Sequence, residues 1–134
     1  MDQLTSDQRS KLMSRIHSRD TKPEMLVRSA LHRLGYRYRL HRRDLPGTPD
    51  IVFSSRGKVI LVHGCFWHGH SCKSGRSRPK TNARFWRNKI ETNVIRDRRN
   101  AARLRRKGWK VKVIWECQIK RNKWLESTIC FLEC

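Results

Sequence analysis

Acidic residues are scarce in this chain: 11 Asp and Glu stand against 32 Lys and Arg, a formal net charge of +21 at pH 7. Self-repulsion on that scale destabilises a compact state unless a polyanion screens it, and nucleic acid is the polyanion expected. The charge names a partner and not an activity, since ribosomal proteins and nucleases share it. Long hydrophobic runs are also missing. None exceeds four residues, as in Val59 to Val62, so a bilayer-spanning helix is not expected. The stretch from Met1 to Asp20 is polar and has no apolar segment of the secretory kind. Proline is sparse, and two of its 4 copies fall within Leu45-Pro46-Gly47-Thr48-Pro49, which therefore reads as a loop. No internal repeat is visible. The five cysteines, Cys65, Cys72, Cys117, Cys130 and Cys134, are odd in number. Without a secretory signal, that count argues for a reducing compartment, with thiols used as metal ligands or core residues.

A length of 134 residues suits one domain around one core. Residues 6 to 17, with Leu12, Met13 and Ile16 among basic residues, predict a short helix. Asp20-Thr21, followed by Pro23 and Glu24, predicts a helix start; Met25, Leu26, Ala30, Leu31 and Leu34 form its expected inner side, and Gly35 its stop. Tyr36 to Leu40 reads as a strand. Asp50 to Phe53 and Lys58 to His63 read as a hairpin about the turn Ser54 to Gly57. Ser71 to Asn82 reads as a mobile basic loop. A long helix is expected from Ala83 to Lys107, with Ile90, Val94, Ala101 and Leu104 inward and Asp97 interrupting that stripe. Trp109 to Trp115 reads as a further strand and Trp124 to Phe131 as a closing helix. The order helix, strand, hairpin, helix, strand, helix predicts an α/β domain with a central mixed sheet.

Chemistry concentrates in His63-Gly-Cys-Phe-Trp-His-Gly-His-Ser-Cys72, where ten residues hold three His and two Cys. Cys65, His70 and Cys72 can converge locally, and Cys117 is the natural fourth ligand of a closed, structural zinc site. A buried Cys117 acting as a small hydrophobe is the alternative. His63 and His68 are left over. The hairpin brings Asp50 near them, and a carboxylate there suits Mg²⁺, with a neutral His as general base; a turn residue after proline is the alternative for Asp50. The adjacent rings of Phe66 and Trp67 read either as a wedge between base steps or as core.

Leu45-Pro-Gly-Thr-Pro-Asp50, the 63–72 segment, Phe85-Trp86, Asn93, Arg96-Asp97 and Trp115-Glu-Cys117 together resemble the very-short-patch repair (Vsr) endonucleases. The likeness runs in order from Met13 to Cys117. It implies a restriction-endonuclease-like fold, with residues 1–19 as a basic helical arm on DNA and 20–134 as the catalytic core. It implies nicking of duplex DNA on the 5′ side of the thymine in a T:G mismatch, initiating very short patch repair. Asp50 and the backbone carbonyl of Val62 would bind catalytic Mg²⁺, as two ions. His68 would be the base, His63 would assist at the phosphate, and Glu24 would join the active site. One zinc would sit on Cys65, His70, Cys72 and Cys117. Phe66, Trp67 and Trp86 would enter the DNA; Met13, Ile16, Lys89 and Asn93 would approach the mismatched pair. The bacterial cytoplasm, at the nucleoid and alongside other mismatch-repair proteins, is the expected setting; a nick needs only one active site, so a monomer suffices. Val62 and Gly64 stand where the wider restriction-endonuclease pattern places a carboxylate and a lysine. Rival readings are a non-catalytic zinc-stabilised nucleic-acid binder, a ββα-metal nuclease and an RNA-packing protein.

Overall fold

The computed structural model describes residues 21–134. The expected helix at 6–17, with Met13 and Ile16, lies outside them. Thr21 caps helix α1, Lys22–Arg33, accepting from the Glu24 amide at 3.4 Å, with Pro23 in the first turn. Strand β1 is Arg39–Leu40, β2 is Ile51–Phe53 and β3 is Lys58–His63. A single 3₁₀ turn, Ser54–Arg56, joins β2 to β3 and closes on Gly57 at φ 66°, a left-handed conformation that favours glycine. A four-residue helix α2, Lys73–Arg76, precedes the long helix α3, Ala83–Arg106. Strand β4, Lys110–Trp115, runs straight into α4, Glu116–Lys120, and α5 is Leu125–Glu133.

The sheet order is β1-β2-β3-β4. The first two pairings are antiparallel, and β3 lies parallel to β4 from Lys58↔Lys110 to His63↔Trp115. Strand alternation divides the core between the two faces of this mixed sheet. Ile51, Phe53, Ile60 and Ile114 pack with Val27 and Leu31 of α1 and Leu132 of α5. Val52 and Val59 pack on the other face with Leu45 and Leu104 of α3. Helices thus flank the sheet on both sides.

Three expectations need correction. The inner stripe of α1 is Glu24, Val27 and Leu31, whereas Met25, Leu26 and Leu34 are 42%, 50% and 53% exposed. Leu31 and Ala30 face inward as expected, but a carboxylate takes a buried place in the first turn, so Met25, Leu26 and Leu34 do not mark the stripe. The strand expected over 36–40 pairs only at Arg39–Leu40, because β2 is three residues long. Tyr36 and Tyr38 are instead anchored through their hydroxyls, to Glu133 at 2.5 Å and to the Arg28 carbonyl at 2.7 Å. The expected basic loop from Ser71 contains α2, capped by the Cys72 sulfur. Among the described residues, no helix is long and apolar enough to cross a membrane.

Candidate active site and metal centre

The 64–72 segment forms a compact knot at the end of β3. His68, Gly69 and His70 donate amide hydrogen bonds back to the carbonyls of Gly64, Phe66 and Cys65 at 3.2, 3.4 and 3.0 Å. Gly69, at φ 60°, lets the knot press on α3, since a Cβ there would come within 3.0 Å of methyls on both Ile90 and Val94. The knot brings the ligand atoms of Cys65, His70 and Cys72 together with that of Cys117 from α4, all within 4.8 Å of one another. The Cys117 amide donates to the Cys65 sulfur at 3.4 Å, and the Gly75 amide to the Cys72 sulfur at 3.4 Å. The hydrogen bond from Gly75, aided by His70, holds the Cys72 thiol down at about 6, while burial pushes that of Cys65 up to about 12. Stacking on Trp115, with ring centroids 4.2 Å apart, fixes the His70 ring. Three sulfurs and an imidazole at this spacing fit a tetrahedral soft-metal shell with no vacancy.

The other two histidines of the knot point elsewhere. His63 and His68 lie face to face, with ring centroids 3.9 Å apart and planes 5° from parallel. His63 is buried against the edge of Trp115, and among the described residues its Nδ1 has no hydrogen-bond partner. Burial, reinforced by His68, lowers its pKa to about 3, so its ring is neutral near pH 7. His68 Nδ1 lies 2.5 Å from Asp97 Oδ2. Asp97 interrupts the apolar stripe of α3, and that interruption was its sequence signal.

Asp50 lies just before β2, with its Oδ2 2.8 Å from the Val62 amide. It groups with Glu24 and His41, their ligand atoms all within 4.8 Å. His41 Nε2 and Arg28 Nη1 contact Glu24 Oε2 at 2.9 and 3.0 Å. Burial, together with the neighbouring Glu24 and Asp97 carboxylates, raises Asp50 to about 7 against the counter-pull of the Val62 amide. His41 was missed in the sequence. It is one basic residue among Arg39, Arg42 and Arg43, and only the fold brings it to Glu24.

Both groups open on one cavity of about 950 Å³, whose wall includes Phe66 and Trp67. These rings and Trp86 form a half-buried cluster, with centroids 5.3 to 5.6 Å apart. They lie neither in the core nor free in solvent. Lys89 is exposed on α3, while Asn93 is 0% exposed and fully engaged. Its Nδ2 donates to the Trp67 carbonyl at 3.0 Å and its Oδ1 accepts from Arg96 at 2.8 Å. Its amide is therefore not presented to a base pair in this conformation.

The family model described as DNA mismatch endonuclease Vsr matches residues 1–74. The chain is 51% identical over 128 residues to the type II nicking enzyme V.XorIIP of Xanthomonas oryzae pv. oryzae, covering 96% of this chain and 93% of that one. It is 48% identical to the type II nicking enzyme V.NmeAIP of Neisseria meningitidis, covering 90% and 86%. It is 44% identical to the DNA mismatch endonuclease Vsr of Escherichia coli, covering 84% and 71%. With motifs, order and near-complete coverage in agreement, this chain belongs to the Vsr family of DNA mismatch endonucleases.

Proposed function

We propose that the protein nicks duplex DNA on the 5′ side of the thymine in a T:G mismatch, by Mg²⁺-dependent hydrolysis on a restriction-endonuclease-like core, and so starts very short patch repair. One observation carries this reading: a His68–Asp97 pair and the Asp50–Glu24 carboxylates share a cavity with the Phe66–Trp67 aromatics. Membership of a nuclease family sets aside the non-catalytic binder.

The donor set fits the metal. Glu24 and Asp50 crowd two carboxylates together, the first buried and the second half-buried, an arrangement that a hard dication relieves. N–H and C=O of one strand residue point to the same edge, so the Val62 carbonyl lies on the side where its amide meets Asp50. Asp50 and that carbonyl would hold Mg²⁺, as two ions, with Glu24 beside them. Held by these residues, Mg²⁺ would supply positive charge to the phosphate oxygens and would acidify the attacking water. The chain's own part is proton handling. Asp97 accepts from His68 Nδ1–H, which leaves Nε2 unprotonated and able to take the proton of the attacking water. His63 stays neutral and braces the His68 ring; its second nitrogen is the one available to the phosphate. Zinc on Cys65, His70, Cys72 and Cys117 serves structure only. Phe66, Trp67 and Trp86 insert beside the mispair. Lys89 and the N-terminal Met13 and Ile16 approach it, with Asn93 supporting Trp67. We place the protein in the cytoplasm at the nucleoid, acting as a monomeric endonuclease with residues 1–19 as its DNA arm and other mismatch-repair proteins as partners.

Asp97→Asn keeps the shape of the pair and removes its charge. It is expected to slow single-turnover nicking by at least about tenfold, within the range typical of general-base catalysis, with DNA affinity unchanged. Equal rates would remove Asp97 from the mechanism. The activity itself is tested on duplexes carrying each mismatch, end-labelled on either strand, with and without Mg²⁺. A single Mg²⁺-dependent nick 5′ to the thymine of T:G is expected. Cleavage of the guanine strand, or equal cleavage of every mismatch, would overturn the reading.

A further inference from the structure

The centre of the cavity is acidic, yet the reaction adds negative charge to it. Glu24, Asp50 and Asp97 all face this space. Hydrolysis of a phosphodiester builds charge on the non-bridging oxygens, which fixed positive donors stabilise. Three cations line the cavity: Lys22, Arg43 and Arg96. Among the described residues, Arg96 is the one of these whose side chain is held by a hydrogen bond, from Nη2 to Asn93 Oδ1 at 2.8 Å. Arg96 is an exposed residue, and the planar fork of a guanidinium can pair with a phosphate in bidentate fashion. It also directly precedes Asp97, the partner of His68.

Asn93 gives this arrangement a second property. It is fully buried, and its other end holds the backbone carbonyl of Trp67 at 3.0 Å. One amide therefore ties an aromatic wall of the cavity to the orientation of a guanidinium. We infer that Arg96 is a catalytic residue that clamps the scissile phosphate, and that Asn93 is the positioning residue that sets it from the backbone of Trp67. A shift of Trp67 on engaging the duplex then moves the clamp with it, so an aromatic that is wrongly seated leaves the phosphate without its cation. The inference rests on the scissile phosphate lying between Asp50 and His68.

The test is single-turnover nicking at saturating protein, on the mismatched duplex that the unmodified protein cuts fastest. Arg96→Ala is expected to lower the saturated rate by about 100-fold, the usual cost of one oriented donor to developing charge. Its affinity should fall by only about threefold, since one phosphate contact among many is lost. Arg96→Lys should recover part of the rate, as a point charge without the fork. Asn93→Ala should lose about tenfold, and the double variant should be no slower than Arg96→Ala alone, because Asn93 acts through Arg96. Additive losses would overturn the positioning role, which a merely structural Asn93 would produce. Arg96 is exposed, so its variants test the clamp even if Asn93→Ala fails to fold. Asp50→Ala is run alongside. If it is inactive and Arg96→Ala cuts at the normal saturated rate, the inference alone falls; if Asp50→Ala is fully active, the placement of the phosphate falls and takes the inference with it.

Discussion

Asp50→Asn should abolish nicking and at the same time make the magnesium-free, zinc-loaded protein more stable. The two effects have one cause. The Asp50 carboxylate is half-buried beside the buried Glu24, and both desolvation and the neighbouring charge raise its pKa to about 7. A carboxamide keeps an acceptor for the Val62 amide and offers a donor toward Glu24, while removing the charge. Losing the carboxylate proposed to bind Mg²⁺ should cost several kcal/mol of transition-state stabilisation, so nicking should fall by about 10³-fold or more. Stability should move the other way, by about 1 kcal/mol or more, or roughly 4 °C in Tm at this chain length. The sign with pH follows from the raised value. The folded protein holds this proton more tightly than the unfolded chain, so the group favours folding at low pH. That contribution is lost as pH rises from about 4, the unfolded value, through about 7. The Tm advantage of Asp50→Asn should therefore grow between pH 5 and 8. Mismatch affinity should be largely retained, and added Mg²⁺ should raise the Tm of the unmodified protein only. A variant that melts lower than the parent at pH 8 would contradict this account.

Removing zinc should unfold the protein, an effect larger than that of any surface substitution. The knot at 64–72 makes no sheet pairing, and Cys65 is its only buried side chain. Its attachment to α4, across 52 positions of sequence, runs through Cys65 and Cys117. Structural zinc contributes about 10 kcal/mol or more in small domains, comparable to the whole stability of a chain this size. Elemental analysis should give one zinc per chain. A strong chelator, or Cys117→Ala, should eliminate the cooperative thermal transition, with nicking lost as a consequence. A metal-free chain retaining native near-ultraviolet dichroism would refute the structural role.

Much of this arrangement was legible where residue types do only one thing. The β-branched run after Gly57 marks β3 at its observed limits, because a short apolar run bounded by turn residues has few other uses. Four candidate soft ligands stand in one short region and at one strand end of the sequence, and the fold brings their ligand atoms within 4.8 Å of one another. The paired carboxylate was harder. Glu24 reads as a helix-start residue, and its burial comes from tertiary contacts with His41 and Arg28. The same burial turned the inner side of α1 away from Met25 and Leu26. Asp97 was visible as a fault in the stripe of α3, yet its partner lies 29 positions away in a knot whose path local patterning does not give. The place of Asn93 near the mismatched pair came from the resemblance alone; without DNA its side chain is buried and holds the Trp67 carbonyl, which local patterning does not show. Helix α4 is five residues long, too short for periodicity to reveal.

Recognition and cutting are one event in this account, because the aromatics and the proposed base share one knot. Phe66 and Trp67 lie between Cys65 and His68, and zinc on Cys65 and His70 would stiffen the segment. Opening a base step costs a few kcal/mol, and less beside a mispair, so insertion adds discrimination that groove contacts to a wobble pair lack. The most direct measurement is the ratio of saturated nicking rates on T:G and T:A duplexes for the Phe66→Ala and Trp67→Ala variants, with bound zinc assayed on the same samples. Both variants should keep their zinc and their non-specific DNA affinity while the ratio falls by about tenfold or more, the factor worth 1.4 kcal/mol. Folded, zinc-loaded variants that keep the parental ratio would contradict the account, and the rings would then be packing alone.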